Sequence, residues 1–153
     1  MINLKIYNLK DKLEYIKEFI LICHNEWGGY WKEDKIDEKI NERIPSTIKR
    51  LEKYPTLLLI ENNTLLGFVS LFENDCEELK EYTPWYATLY VKEEFRGNHF
   101  SKILTDAIIN EAKELNFHKI YLKTTLNNFY EKLGFVYLET TSDNEKIYFM
   151  NLK

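Results

Sequence analysis

The sequence predicts an α/β protein in which helices cover both faces of one mixed, mostly antiparallel sheet of about seven strands. Short apolar runs alternate with longer segments whose apolar residues recur every three or four positions, which are the patterns of strands and helices. A strand–helix–strand succession over 85–123 requires a parallel strand pair. The pair Asn62-Asn63 between two apolar runs indicates an antiparallel hairpin. With 153 residues, the whole chain, 1–153, is expected to form one domain.

The first part of the chain is predicted to form a strand followed by two helices. The stretch "INLKIYNL" (2–9) has the apolar content of a strand. Over 13–27 the apolar residues recur in steps of three and four, which predicts a helix that ends at Gly28-Gly29. A second helix is expected to be capped by Asp34 and broken or kinked at Pro45. Its buried side is expected to contain Ile36, Ile40 and Ile44.

The remainder is predicted to alternate strands and helices in the overall order βααβββαβαββ. A helix is expected from Phe100 to Leu115, because Leu104, Ile108 and Ala112 fall on one face. A short helix is expected over "NNFYEKL" (127–133), with Gly134 as its left-handed end. The predicted strands are 56–61, 65–72, 85–91, 119–123 and the runs "FVYLET" and "KIYFMNL".

Composition excludes several classes of protein. The net charge of −4 with dispersed lysines gives no basic stripe, so nucleic-acid binding is not expected. Cys23 and Cys76 lack metal-ligand spacing and are expected to be reduced thiols in a cytoplasmic protein. The N-terminal residues lack a signal-peptide core, and no apolar run approaches the length of a membrane span. We therefore expect no bound metal, no disulfide and no membrane partner.

The stretch "VKEEFRGNHFSKIL" (91–104) joins a predicted strand to a predicted helix. The first turn of a helix carries unpaired N–H groups and a partial positive charge, which suit a phosphate or pyrophosphate. Arg96 and Lys102 add positive charge beside it. The alternative is an ordinary strand-to-helix connection with a surface arginine, and this stretch alone does not separate the two.

Two motifs resemble those of the GCN5-related N-acetyltransferases, the GNAT superfamily. "YVKEEFRGNHFSKIL" (90–104) is similar to their acetyl-CoA motif, a strand followed by Arg/Gln-x-x-Gly-x-Gly/Ala at the start of a helix. "NNFYEKLGF" (127–135) resembles their second signature, and "TPWYATLYV" (83–91) resembles the fourth strand of a bacterial subgroup. The pattern departs at His99 and Ser101, which replace the motif's small residues. Histidine is among the non-glycine residues that tolerate positive φ, so the backbone path is expected to persist.

The resemblance implies the GNAT fold over nearly the full length and acetyl-CoA as the acyl donor. It implies direct transfer of the acetyl group to a primary amine of a small molecule or peptide. The alternative is a non-catalytic CoA-binding or sensor module with the same fold. The residues that the resemblance assigns to the cofactor are Leu89, Tyr90, Val91, Arg96, Gly97, Asn98, His99, Phe100, Ser101, Lys102 and Asn127.

The resemblance also implies catalytic roles. A bulge in the strand 85–91 is expected to free a backbone N–H near Leu89 and Tyr90 to polarise the thioester carbonyl. Tyr130 corresponds to the tyrosine that protonates the leaving thiolate, although a core aromatic is the alternative interpretation. The strand contains no carboxylate, so the base stays open among Glu26, Asp75, Glu81, His24 and a bound water.

The acceptor site is expected to be aromatic, because the segments that form it in the family carry aromatic residues in this chain. Trp31, Tyr82 and Trp85 are the expected contacts, and aromatics beside carboxylates suit a cation or an aromatic amine. Trp27 lies on the apolar face of the first helix and is instead expected to pack in the core. The identity of the amine, the length of the acyl group and the choice between monomer and homodimer are left open.

Overall fold

The computed structural model describes residues 3–153, which form seven strands and three α-helices. Ile2, where the first strand was expected to begin, lies outside the described residues. The α-helices are α1 (Ile16–Trp27), α2 (Ile36–Leu51) and α3 (Phe100–Glu114). The strands are β1 (Leu4–Asn8), β2 (Thr56–Glu61), β3 (Thr64–Phe72), β4 (Trp85–Val91), β5 (Lys119–Thr124), β6 (Val136–Thr140) and β7 (Lys146–Asn151).

The strands form one mixed sheet in the order β1-β2-β3-β4-β5-β7-β6. Every neighbouring pair is antiparallel except β4 and β5, which confirms the mixed, mostly antiparallel prediction. In the described chain these two strands pair only where Trp85 lies opposite Tyr121. Beyond that pair the two strands diverge, and their separation opens a cleft in the middle of the sheet.

Helices cover both faces of the sheet, as the sequence predicts. Side chains alternate along a strand, so β2 contributes to two cores. Leu58 and Ile60 pack with residues of α1 and α2, whereas Leu57 and Leu59 pack in the cluster that contains Leu104 of α3. The two cores therefore hold α1 and α2 on one face and α3 on the other.

The predicted short helix over 127–133 is wrong. The structure has only a 3₁₀ turn at Glu131–Leu133, preceded by irregular backbone. Asn128 adopts φ 60, a left-handed angle that an α-helix cannot contain. Gly134 ends the turn with φ 98, as expected from its lack of a side chain.

Helix α2 differs from its prediction at its start and runs on through Pro45. Asp34 lies in a 3₁₀ turn, Glu33–Lys35, and α2 begins at Ile36 without a side-chain cap, so the predicted cap is wrong. Pro45 lies inside α2, which is not broken there. Packing of Ile40 and Leu51 in the core holds the two halves of α2 against the same face of the sheet.

Candidate active site

A bulge interrupts β4 where the sequence predicts a free backbone N–H. The β3–β4 register shifts between Phe68 and Ser70, so that Phe68 pairs with Tyr90 and Ser70 with Ala87. Thr88 adopts φ 52, which is a genuine outlier for a β-branched residue. Two residues of β4, Thr88 and Leu89, therefore lie opposite one residue of β3, and the regular ladder is lost at Leu89.

The loop before α3 has the backbone geometry of an anion-binding turn. Gly97 and His99 are left-handed, with φ 84 and φ 62, and His99 directly precedes the first residue of α3. A Cβ added at Gly97 would meet no atom within 4 Å, so the turn is open to an incoming ligand. Successive N–H groups in such a turn converge with those of the first helical turn on one point.

Most of the predicted cofactor residues surround one cavity of about 350 Å³ at this turn, the α3 cavity. The guanidinium of Arg96 is held there by a hydrogen bond from Nε to the Val91 carbonyl oxygen, 2.9 Å long. Glu26 and Trp27, at the end of α1, close the other side. The predicted residues that line the α3 cavity are Leu89, Tyr90, Val91, Arg96, Gly97, His99, Phe100 and Ser101.

Three predicted cofactor residues have other contacts. The Asn98 side chain donates to the Phe95 carbonyl oxygen over 3.0 Å, which stabilises the turn itself. Lys102 forms an ion pair of 2.8 Å with Asp106 along α3. Asn127 accepts a hydrogen bond from Lys146. None of the three lines the α3 cavity.

Tyr130 lines a second, larger space of about 630 Å³ between the diverging strands, the β4–β5 cleft. Its ring packs edge-on against Tyr86, with centroids 5.9 Å apart and an interplanar angle of 78°. Burial raises the pKa of the Tyr130 phenol, which therefore stays protonated at neutral pH. Leu89 and Trp27 line both this cleft and the α3 cavity, so the two spaces adjoin each other at the bulge.

Asp75, one of the four side chains left open as the base, lies in the β4–β5 cleft with Tyr130. Burial raises the pKa of its carboxyl to about 6, against an opposing effect of Lys123 and with a further increase from Glu145. Lys123 and Glu145 line the same cleft, and their charged atoms are 3.9 Å apart. A carboxyl and a phenol therefore share one cavity beside the bulge.

The other three candidates for the base lie elsewhere. Glu26 lines the α3 cavity. The ring of His24 stacks on Trp31, with centroids 3.5 Å apart and an angle of 8°. His24 lines a third cavity of about 270 Å³ between α1 and α2, the α1–α2 cavity. Glu81 lines none of these three cavities.

The three aromatic residues predicted for the acceptor site pack away from these spaces. Trp31 is sandwiched between His24 and the guanidinium of Arg43, 5.5 Å from its ring centroid. The Tyr82 hydroxyl donates to Glu139 over 2.8 Å, and Trp85 is fully buried with its Nε1 donating to the Tyr82 carbonyl oxygen. None of the three lines the α3 cavity, the β4–β5 cleft or the α1–α2 cavity.

Trp27 lies where the three spaces meet. The prediction that it packs in the core is wrong, because it is 53% exposed and lines all three. It is the last residue of α1, and the chain leaves the helix at Gly28. The position of a tryptophan directly before Gly28-Gly29 is the sequence signal that marks it, since a helix end extends beyond the core.

No group of three or more His, Cys, Asp or Glu within residues 3–153 is arranged to hold a metal ion. In the same part of the chain, every helix is too short or too polar to cross a membrane.

Comparison with known proteins identifies the family. The model of the acetyltransferase (GNAT) family matches residues 15–135. No curated protein sequence matches the chain.

Several solved structures share the fold. The protein yncA from Salmonella typhimurium, solved with its cofactor acetyl-CoA, has a TM-score of 0.68 at 17% identity, covering 98% of this chain and 94% of that one. An N-acetyltransferase from Staphylococcus aureus Mu50 has a TM-score of 0.67 at 18% identity, covering 99% of both. The PaiA N-acetyltransferase from Thermoplasma acidophilum, solved with coenzyme A, has a TM-score of 0.60 at 20% identity, covering 97% and 99%. These structures share the fold, and the family match over residues 15–135 shows that the chain belongs to the acetyltransferase (GNAT) family.

Proposed function

We propose that the protein is an N-acetyltransferase that moves an acetyl group from acetyl-CoA directly to a primary amine of a small molecule or peptide. One observation carries the proposal. The anion-binding turn before α3 and Tyr130 line two adjoining spaces that share Leu89 at the bulge. A long cofactor with a diphosphate and a reactive thioester needs that arrangement.

The residues of the α3 cavity fit the diphosphate of coenzyme A. The turn at Gly97 leaves open space, the first amides of α3 lack helical partners, and Arg96 adds a fixed cation. The bound cofactor supplies an activated acetyl group. The pantetheine chain then fits along Leu89 and Trp27, which line both spaces.

Three groups of this chain perform the proposed chemistry. The N–H of Leu89 at the bulge polarises the thioester carbonyl, a contribution of about 3 kcal/mol for one well-placed donor. The Asp75 carboxylate accepts the proton that the amine must lose before it attacks. The Tyr130 hydroxyl donates a proton to the departing thiolate, and its partial burial limits contact with bulk water.

Asp75 is our choice among the candidate bases because it alone of the four shares the cleft with Tyr130. A base near pKa 6 is ionised at neutral pH and still basic enough to take a proton in the transition state. Base and acid must both reach the reacting carbon, and a common cleft allows this.

Thermal unfolding with and without acetyl-CoA tests the binding part of the proposal. A cofactor that binds only the folded state raises Tm, by an amount that grows with the ratio of its concentration to Kd. A thiol-release assay with a panel of amines then tests transfer. No Tm shift at millimolar acetyl-CoA would refute cofactor binding. A clear shift without thiol release for any amine would favour the non-catalytic CoA-binding module instead.

A further inference from the structure

The α1–α2 cavity is positively charged in a protein whose net charge is −4. It lies between α1, α2, the end of β3 and the bulge of β4, and Arg43 and Arg50 both line it. Its lining contains neither Asp nor Glu. An overall acidic protein therefore concentrates two cations at one concave site.

Arg50 is a partly buried cation whose hydrogen-bond partners are neutral. Its Nη1 donates to the carbonyl oxygens of Tyr54 and Leu71 over 2.9 and 3.4 Å, and its Nη2 donates to Thr56 Oγ1 over 2.9 Å. None of the ion pairs within residues 3–153 includes Arg50. A charge that is partly withdrawn from water without a counter-charge is costly, so the position favours a ligand that supplies one.

The neighbouring Cys23 thiol does not neutralise the Arg50 guanidinium. Burial lowers the pKa of Arg50 to about 10, which leaves it charged at neutral pH. Cys23 lies close to it, but burial raises the pKa of that thiol to about 12, against the opposing effect of Arg50. The thiol is therefore neutral and offers no negative charge.

Arg43 is held at the same cavity by aromatic packing. Its guanidinium lies over the ring of Trp31, 5.5 Å from the centroid, and Trp31 in turn stacks on His24. No ion pair of the described chain includes Arg43 either. Arg43 and Arg50 are about two helical turns apart on α2, so both project from one face.

The α1–α2 cavity adjoins the β4–β5 cleft. Trp27, Phe72 and Thr88 line both spaces. A molecule whose amine lies beside Asp75 and Tyr130 can therefore extend past these three residues to the two arginines. Along this path the Asp75 carboxylate and the Tyr130 phenol come first. The passage lined by the three shared residues follows, and the two guanidinium groups come last.

We propose that the amine acceptor also carries a carboxylate, which binds Arg43 and Arg50 in the α1–α2 cavity, so that the substrate is a zwitterion whose two charges are several bonds apart, as in short peptides. Guanidinium groups bind carboxylates by charge-assisted hydrogen bonds, which are stronger than neutral ones. The amine half of this inference rests on the proposed function, whereas the carboxylate half can be tested without it.

The test uses N-acetylated dipeptides and their C-terminal carboxamides as matched probes, with small, aliphatic and aromatic side chains. These probes have no free amine, so binding depends on the acid alone and requires no turnover. Tryptophan fluorescence or calorimetry gives Kd for each pair. We expect at least one acid to bind about tenfold more tightly than its carboxamide, the size of one charge-assisted contact.

Variants of α2 assign this preference to the cavity. Arg43→Gln should weaken binding of that acid about tenfold and leave the carboxamide unchanged. Lys49→Gln is the matched control, because it removes one charge from an exposed position of α2 that does not line the cavity. Arg50→Lys keeps the partly buried charge and should retain part of the preference. If Arg50→Lys does not fold, Arg43→Gln still decides the question.

Equal binding of every acid and its carboxamide would overturn the inference, as would equal effects of Arg43→Gln and Lys49→Gln. The same preparations are then assayed for a Tm shift with acetyl-CoA and for thiol release with the free dipeptides. Loss of both responses with the acid preference intact would refute the acetyltransferase proposal alone. Transfer to amines that lack a carboxylate, as efficient as to dipeptides, would refute this inference alone.

Discussion

Thr88 donates a hydrogen bond from its hydroxyl to Ser70 Oγ over 2.8 Å, and this contact fixes a left-handed residue of β4 to the interior of β3. Ser70 Oγ also lies 2.7 Å from Thr56 Oγ1, which accepts from Arg50. Ser70 and Thr56 are fully buried. The bulge beside the proposed reaction site is therefore held by a buried chain of hydroxyls that ends at a guanidinium.

Removing the Ser70 hydroxyl, the middle of this series of hydrogen bonds, should destabilise the fold and disturb the bulge. In Ser70→Ala, the hydroxyls of Thr88 and Thr56 each lose a partner in the interior, which costs about 1–3 kcal/mol. We expect that loss in the free energy of unfolding measured with urea. We also expect a lower kcat for acetyl transfer, because Leu89 follows Thr88 directly.

The control for this prediction is Ser46→Ala on α2. Ser46 also makes a hydrogen bond, to the Arg43 carbonyl oxygen, but its hydroxyl is exposed. Its loss should change stability by less than about 0.5 kcal/mol. If Ser70→Ala were as stable and as active as Ser46→Ala, the buried chain would have no role in shaping the site.

If Asp75 is the base, removing its charge should have opposite effects on activity and on stability. As the proposed base it must be ionised, so kcat/KM should rise as the pH increases through about 6, the raised pKa of its carboxyl. Asp75→Asn should lower kcat by about 10²-fold, within the usual range for general-base catalysis, and should remove that rise. A pH–rate profile of both proteins checks this. Glu81→Gln, which neutralises another carboxylate of the same loop, should keep the profile.

The sign of the stability effect follows from linkage. The folded protein binds the Asp75 proton up to about pH 6, whereas the unfolded chain releases it near the ordinary value of 3.8. Between these values the folded state holds more protons, so its stability falls as the pH rises, by at most about 3 kcal/mol. Asp75→Asn should therefore be more stable than the original protein above pH 6. A variant that is less stable there would show that the carboxylate serves the fold and not the reaction.

The motif at 90–104 was informative because it depends on local backbone conformation. The resemblance of 90–104 depends on a strand end, a turn and a helix start, and the structure forms them at the same residues. His99 adopts φ 62, in the left-handed region that histidine was expected to tolerate. The second motif, at 127–133, was mispredicted as a helix, because the spacing of its apolar residues does not reveal the left-handed conformation of Asn128.

Long-range packing was less accessible from the sequence. Trp85 and Trp27 are both aromatic residues near the expected acceptor site, yet one is fully buried and the other is 53% exposed. What separates them is the divergence of β4 from β5, which places Trp85 at the closed end where it faces Tyr121. The choice of Asp75 among the candidate bases likewise required the loop after β3 to be placed against the cleft.

Tyr130→Phe separates proton donation from packing. The ring contacts with Tyr86 and Phe135 need no hydroxyl, so stability and the Tm shift with acetyl-CoA should be retained. The leaving thiolate would lose its proton donor, and kcat should fall by about 10²-fold. Stopped-flow or steady-state thiol release measures the effect.

Tyr137→Phe, at a half-exposed tyrosine of β6, is the control. Equal turnover of Tyr130→Phe and the original protein would make Tyr130 a packing residue only.

His99→Gly tests whether the departure from the family motif affects cofactor binding. His99 adopts φ 62 and ψ 20 immediately before α3, and its side chain makes no capping hydrogen bond. Glycine adopts these angles without strain, so the turn should persist and the affinity for acetyl-CoA should be held or improved.

Gly97→Ala is the informative contrast. An added Cβ has open space there, but φ 84 is strained for alanine by about 1–2 kcal/mol, so the turn should be distorted and the Tm shift reduced. A large loss of affinity in His99→Gly would instead show that the imidazole itself contacts the cofactor. Calorimetric Kd values for the two variants therefore distinguish a histidine that only tolerates the required backbone angles from one that contributes to binding.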